Sequence, residues 1–188
     1  MKFGLLVIIA SLGLIFVAIE AVCPDGYCRH SGDCYLVVGL NVSWIDARAY
    51  CTTLGGFLLH IDSQSKQTTT EGVLRRSLGI YPAKFWIDVS DLLNPTDWKY
   101  MQLKQSITYS NWNTDEADNS STVVGKCVSL SRENEYAWSP TACEQKMNFV
   151  CFHSGIEERV RVYDRYRYSR YEMVDKTEND TLCEFDYM

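Results

Sequence analysis

Histidine is scarce in this chain and positive charge is in deficit. Only His30, His60 and His153 occur in 188 residues, and no G-x-S-x-G, H-E-x-x-H or phosphate-cradling glycine loop accompanies them. Without a nucleophile–base pair or a metal-binding histidine pair, nothing in the sequence asks for catalysis, and no enzyme is expected. Lys and Arg number 18 against 24 Asp and Glu, a net charge of −6, which excludes a general nucleic-acid binder. Internal repeats and low-complexity tracts are absent, and beyond residue 19 no apolar run is long enough to cross a bilayer. With 22% charged and 13% aromatic residues, the chain is not mainly disordered.

What is present points to the outside of a cell. The length suits one domain of about 100–150 residues with some extra. Met1-Lys2 is a minimal basic start, Phe3 to Ile19 is apolar or small, and Ala18 and Ala21 suit signal peptidase. Residues 1–21 therefore read as a secretory signal peptide, with an uncleaved signal anchor as the rival. Sequons at Asn41, Asn119 and Asn179 agree with a secreted glycoprotein, expected without a membrane span once the leader is removed. In an oxidising compartment the eight cysteines are expected in disulfides.

Hydrophobic periodicity predicts an alternation of elements. Cys34-Tyr-Leu-Val-Val38 is strand-like, and a helix starts after Ser43 with Trp44, Ala47 and Cys51 on one face. Leu54-Gly-Gly56 stops it, and Phe57 to Ile61 resumes as a strand. A polar second helix runs from Ser63 to about Leu78, with Val73, Leu74 and Leu78 inward. His60-Ile-Asp62 reads as an exposed strand edge. Further strands are expected at 85–87, 98–101, 127–130, 136–138 and 148–152, with a polar, aperiodic loop between Tyr109 and Lys126. Two helices ahead of a strand-rich second half is an α+β order.

Several of these pieces fall in a recognisable sequence. Trp44-x-x-Ala-Arg-x-x-Cys51, Gly55-Gly-x-Leu58-x-x-Ile61, Phe85-Trp-Ile87, Tyr109-Ser-Asn-Trp112-Asn113, Cys127, Trp138 with Cys143, and Phe149-Val-Cys151 follow one another in order. Together they resemble a C-type lectin-like domain, spanning residues 22–153. The resemblance implies an α+β double-loop fold with two helices and small antiparallel sheets, stapled by disulfides. It implies the pairs Cys51–Cys151, Cys127–Cys143 and, in an N-terminal hairpin of longer members, Cys23–Cys34. Cys28 and Cys183 are left over. They could pair with each other and tether the tail, or one of them could link two chains into a homodimer. Trp86, Trp112 and Trp138 match structural positions of the family and are expected in the core.

The resemblance also implies where a sugar-binding calcium ion would sit, and this chain departs from that pattern. The motif read as E-P-N or Q-P-D in calcium-binding members is Glu116-Ala117-Asp118 here. A cis peptide before a residue other than proline costs about 3–4 kcal/mol, so the bond at Ala117 is expected trans. Gly125 replaces a glutamate ligand, and Ser139-Pro140 replace the Asn-Asp of a W-N-D motif. Calcium needs about 6–8 oxygens, several of them anionic, and proline offers none from its side chain. Asp91 stands at an auxiliary calcium position, but Pro95 falls where its glutamate partner is expected. Asn113, Glu116 and Asp118 remain as ligand-binding candidates, and Glu116, Asp118 and Asp91 as weak metal candidates expected to be empty. The run Asp115-Glu116-x-Asp118 equally suits a solvated acidic loop, a rearranged cation site or a protein contact.

Residues 154–188 form a tail of two characters. Arg159 to Tyr171 holds five arginines and four tyrosines, and Glu172 to Met188 holds six acidic residues against Lys176. The first half suits a polyanion contact, and the whole equally suits a solvated tail whose halves pair loosely. The function expected by analogy with the family is extracellular recognition of glycans or glycoproteins without the standard calcium mechanism, in immunity or in a mineral or mucus matrix. No cofactor is expected, with calcium possible but weakly held. A calcium-independent protein–protein module, dimeric or not, and a structural matrix protein are the alternatives.

Overall fold

The structure is a computed structural model that describes residues 5–10, 13–77, 84–113, 126–153 and 157–163. Twelve strands and two α-helices lie within these residues: β1 Leu5–Ala10, β2 Gly13–Val22, β3 Cys28–His30, β4 Asp33–Val42, α1 Trp44–Thr53, β5 Phe57–Leu58, α2 Gln64–Arg76, β6 Lys84–Ser90, β7 Lys99–Tyr100, β8 Gln105–Ser106, β9 Lys126–Ser131, β10 Trp138–Ala142, β11 Met147–His153 and β12 Glu157–Tyr163. The main sheet runs β10-β9-β6-β11-β4-β3, with β5 on β11 and the β7–β8 pair on β6. Only β6 and β11 run parallel; the other pairs are antiparallel.

β6 is buried on both faces and so divides the core. Phe85, Ile87 and Val89 face one cluster with Leu59, Ile61, Val73, Leu74, Val128, Leu130 and Trp138. Trp86 faces the other, with Trp44, Cys51, Phe149 and the Cys127–Cys143 bond. The helices are placed by their caps. Ser43 Oγ accepts the Asp46 N–H of α1 and donates to its carboxylate, and Ser63 Oγ accepts the Lys66 N–H of α2. Cys51–Cys151 then ties α1 to the central β11 across 100 residues of sequence.

The N-terminal hairpin β3–β4 turns through Ser31 and Gly32, both with positive φ, which is the two-residue turn that matches strand twist. Cys23–Cys34 staples it. Cys28 also takes part in a disulfide, while Cys183 lies outside the described residues.

Several elements differ from the sequence-based expectation. The strand expected at 136–138 begins only at Trp138, because Glu135 and Tyr136 adopt left-handed backbone and turn the chain. It continues instead through Pro140 to Ala142, which β10 tolerates as the edge of the sheet. The strand expected over 57–61 stops at Leu58. From there Leu59 donates its N–H to Val150 and accepts that of Asp88, passing between β11 and β6. The strand expected over 98–101 is only Lys99–Tyr100. α2 ends at Arg76, and Leu78 lies outside the described residues; Gln67 and Thr70 join Val73 and Leu74 on its buried face. Seven residues of the tail form β12, antiparallel to β2, in which Val160 and Val162 alternate with arginines in the sequence. The stretch read as a leader supplies β1 and β2 of that second, three-stranded sheet. Among the described residues no helix is long and apolar enough to cross a membrane.

Candidate functional site

Two places on the surface matter: the region where the resemblance puts calcium, and a cleft between the N-terminal hairpin and α2. The first is organised by tryptophans. Trp98, Trp112 and Trp138 pack in a row, tilted and then edge-on, with ring centroids 5.1 and 5.4 Å apart. Trp138 accepts the Asn113 N–H on its carbonyl and donates its own N–H to Asn111, so the start of the long loop is sewn to β10. The Trp138 indole N–H reaches the buried side chain of Gln67, which in turn donates to the Tyr136 carbonyl. Trp86 and Trp138 are fully buried, and Trp112 packs partly buried against Trp138. Trp86 and Trp138 are therefore core residues with no open stacking face, while Trp112 stands at the margin of the core.

The described side chains here do not fit calcium. Ser139 Oγ is shut off from solvent and makes no hydrogen bond among the described residues, so it cannot reach an ion at the surface. Pro140 sits in ladder register opposite Val128. Asp91 is buried, and its two carboxylate oxygens accept the backbone N–H groups of Lys126 at 2.5 Å and Thr96 at 3.2 Å. It clasps the end of β6 to the start of β9, where a calcium ligand would need free oxygens. Among the described residues no three His, Cys, Asp or Glu side chains converge on a metal position. Glu116, Asp118, Gly125 and the sequon at Asn119 lie outside the described residues, as does Asn179; Asn41 is exposed on β4. Asn113 is half-buried, placed beside Trp138 by its backbone.

The second place is a cleft of about 330 Å³ between the Ser31–Gly32 turn, residues 60–63 and the first turns of α2. Thr69 donates to Ser31 Oγ and an Arg76 nitrogen lies 3.1 Å from His30 Nδ1, so α2 holds the hairpin turn against itself. That docking brings Asp33 from the hairpin opposite Asp62 and Lys66. The Lys66 ammonium lies 3.1 Å from His60 Nε2 and 3.7 Å from the centre of the Phe152 ring. An ammonium only donates, so His60 Nε2 is the acceptor and the ring carries its proton on Nδ1. Nδ1 is buried without a hydrogen-bond partner among the described residues.

Burial, followed by the charge on Lys66, holds the His60 imidazole down to about 4. Burial also lowers the Lys66 ammonium, against the pull of Asp62 and Asp33. Asp33 is raised, first by burial and then by Asp62, with Lys66 opposing. His60 is thus a neutral acceptor at physiological pH. Its side chain is 13% exposed and lies edge-on to Tyr100 and Phe152, which corrects the expectation of an open strand edge. Leu59 and Ile61 leave the ladder there, and the ring turns into the space beneath Lys66.

Sequence reasoning missed this cleft and the clamp residue Gln67. The one local signal was His60-x-Asp62-x-x-x-Lys66 across a strand-to-helix junction. Asp33 could not have been added to it, because only the folded hairpin brings it near.

Residues 40–153 match the family model of the lectin C-type domain. A perlucin-like protein of Mytilus galloprovincialis is 25% identical over 130 residues, which is 69% of this chain and 81% of that protein. Snaclec dabocetin subunit alpha of Daboia siamensis is 30% identical over 155 residues, 80% of this chain and 92% of that one. Among solved structures, the C-type carbohydrate-recognition domain of cow CD23, crystallised in the presence of a GlcNAc2Man3 oligosaccharide, is similar with a TM-score of 0.58 and 25% identity. The match covers 71% of this chain and 97% of that domain.

Proposed function

The chain belongs to the lectin C-type domain family, and from that premise we propose that it is a secreted recognition protein that binds extracellular glycans or glycoproteins without the family's standard calcium site. The observation that carries the calcium half is the state of the three described positions: a buried Ser139 hydroxyl, a ladder proline at 140 and an Asp91 carboxylate already spent on two amides. The glycan half is supported by the likeness to a carbohydrate-recognition domain at 25% identity. Residues 1–21 act as the leader that delivers it, and glycans are carried at Asn41, Asn119 and Asn179. Cys28 bonds Cys183 and holds the tail to the domain. The test is retention on mannose and galactose resins: EDTA leaves any retained protein in place, and release by EDTA contradicts the reading.

One observation favours a second reading, a protein–protein module. Ile45, Leu54 and Phe57, at the outer face of α1 and just beyond it, are exposed, Ile45 to 59%. A relative named as a subunit is consistent with such a surface. A non-reducing gel with sedimentation analysis separates the cases. A covalent or tight dimer supports the module, and a monomer with intact disulfides supports the tethered tail.

A further inference from the structure

We propose that the cleft between the Ser31–Gly32 turn and the first turns of α2 is a metal-free seat for a neutral saccharide, with vicinal hydroxyls of one sugar ring bridging Asp33, Asp62 and Lys66. The inference rests on the glycan-recognition reading above and gives it a place.

The geometry makes this a prepared site and not a chance group of surface charges. A lysine that interacts electrostatically with two carboxylates ordinarily closes onto one of them. Lys66 makes no ion pair within 4.0 Å of either among the described residues, because His60 Nε2 and the Phe152 ring hold it from beneath. Neither carboxylate accepts a protein hydrogen bond among the described residues; the Asp62 oxygen nearest His60 is 3.8 Å away. The cleft therefore presents separated charged groups with capacity to spare: an ammonium with donors beyond the one given to His60, and two carboxylates with several acceptor sites each. A vicinal diol satisfies both kinds at once, since each hydroxyl donates to a carboxylate and accepts from the ammonium.

Charge and size narrow the ligand class. Two carboxylates against one ammonium leave the cleft net negative, which repels sulfated and sialylated sugars. Lys66 lines the cleft with both carboxylates and repels a cation, and among the described residues no trio of metal ligands converges there. The cleft volume of about 330 Å³ lies at the low end of ligand pockets, about 300–1,000 Å³, which suits a terminal ring or two and not a polymer. The seat also depends on the Cys23–Cys34 hairpin, which carries Asp33 and Ser31 into position.

The test is one glycan array, printed with neutral mannose-, galactose- and N-acetylglucosamine-terminated glycans and their sulfated counterparts. It is read in EDTA with the full secreted protein, D33N, D62N and K66M. Asp62 is 45% exposed, so D62N removes a charge without disturbing the core, and a thermal melt matched to wild type certifies each variant as folded. The expected result is neutral-glycan binding in wild type and at least a tenfold loss in folded D62N and D33N. With labelled protein, the His60 imidazole resonances shift when the preferred monosaccharide is added. Neutral-glycan binding that persists in the folded variants overturns the cleft and leaves glycan recognition standing. Absence of glycan binding by wild type, with or without calcium, overturns both. Binding confined to sulfated glycans overturns the cleft and turns attention to the arginines of the tail.

Discussion

At the residue scale, two displaced side chains that titrate below neutrality pull stability in opposite directions with pH. His60 is held to about 4 when folded, chiefly by burial, against an ordinary value of 6.5. Between these values the unfolded chain binds more protons, so the His60 contribution is full above 6.5 and is lost as pH falls toward 4. Asp88 behaves in the reverse sense. Burial raises it from 3.8 to about 7, although the Gln102 N–H and Arg48 both oppose the shift. Arg48 Nε is 3.1 Å from Asp88 Oδ1 without making an aligned hydrogen bond, and Arg48 is itself partly exposed, so the ion pair does not offset burial. The folded state binds the extra proton from about 4 to 7, and stability falls as pH rises through that window. Wild type is therefore expected to be nearly flat from pH 4 to 6.5. D88N exposes the His60 slope, with stability rising with pH, and H60Q exposes the falling Asp88 slope, each by about 1–3 kcal/mol across the window. Urea unfolding at half-unit pH steps measures both. Identical profiles in the three proteins would refute the assignment.

At the element scale, the N-terminal hairpin packs against both the sheet and α2. Tyr27 packs against Gly56, where an added methyl group would run into the Tyr27 hydroxyl and the Phe152 carbonyl oxygen. G56A is expected to cost about 1–3 kcal/mol through overpacking, visible as a lower melting temperature. Removing the Cys23–Cys34 staple with paired serines is expected to cost about 2–3 kcal/mol by the loop-entropy argument. It should also weaken neutral-glycan binding more than it weakens the core, because it frees the wall carrying Asp33. The contrast between elements shows what could be read from sequence. α1 was legible because Ser43, Trp44, Ala47 and Cys51 write both a cap and a face in consecutive residues. β10 was displaced because two left-handed residues, Glu135 and Tyr136, carry no glycine to announce the turn. The cleft was illegible because its parts lie at 31–35, 60–69 and 152, and only the docking of the hairpin on α2 joins them. Gln67 was missed for a related reason: a polar residue on a polar helix gives no sign that its partner is the indole of Trp138.

At the scale of the whole molecule, the lectin C-type fold is kept and its usual metal chemistry is not supported by the residues described. The tryptophan row, the disulfides and the central β6 are spent on holding the sheet together. The carboxylate at 91, where an auxiliary ion would sit, is spent on clasping the end of β6 to the start of β9. The leader and tail present a separate question, since β2 is paired with β12 along Val22–Phe16 and Glu157–Tyr163. Cleavage after Ala21 would strip β12 of its partner strand. Mass analysis of secreted protein is expected to show Val22 as the first residue, and an intact Met1 would contradict the leader. The account as a whole turns on recognition without calcium. The most direct measurement is one glycan array read twice with wild-type protein, in calcium and in EDTA. The account predicts the same glycans bound at the same strength in both, and signals present in calcium that vanish in EDTA would contradict it.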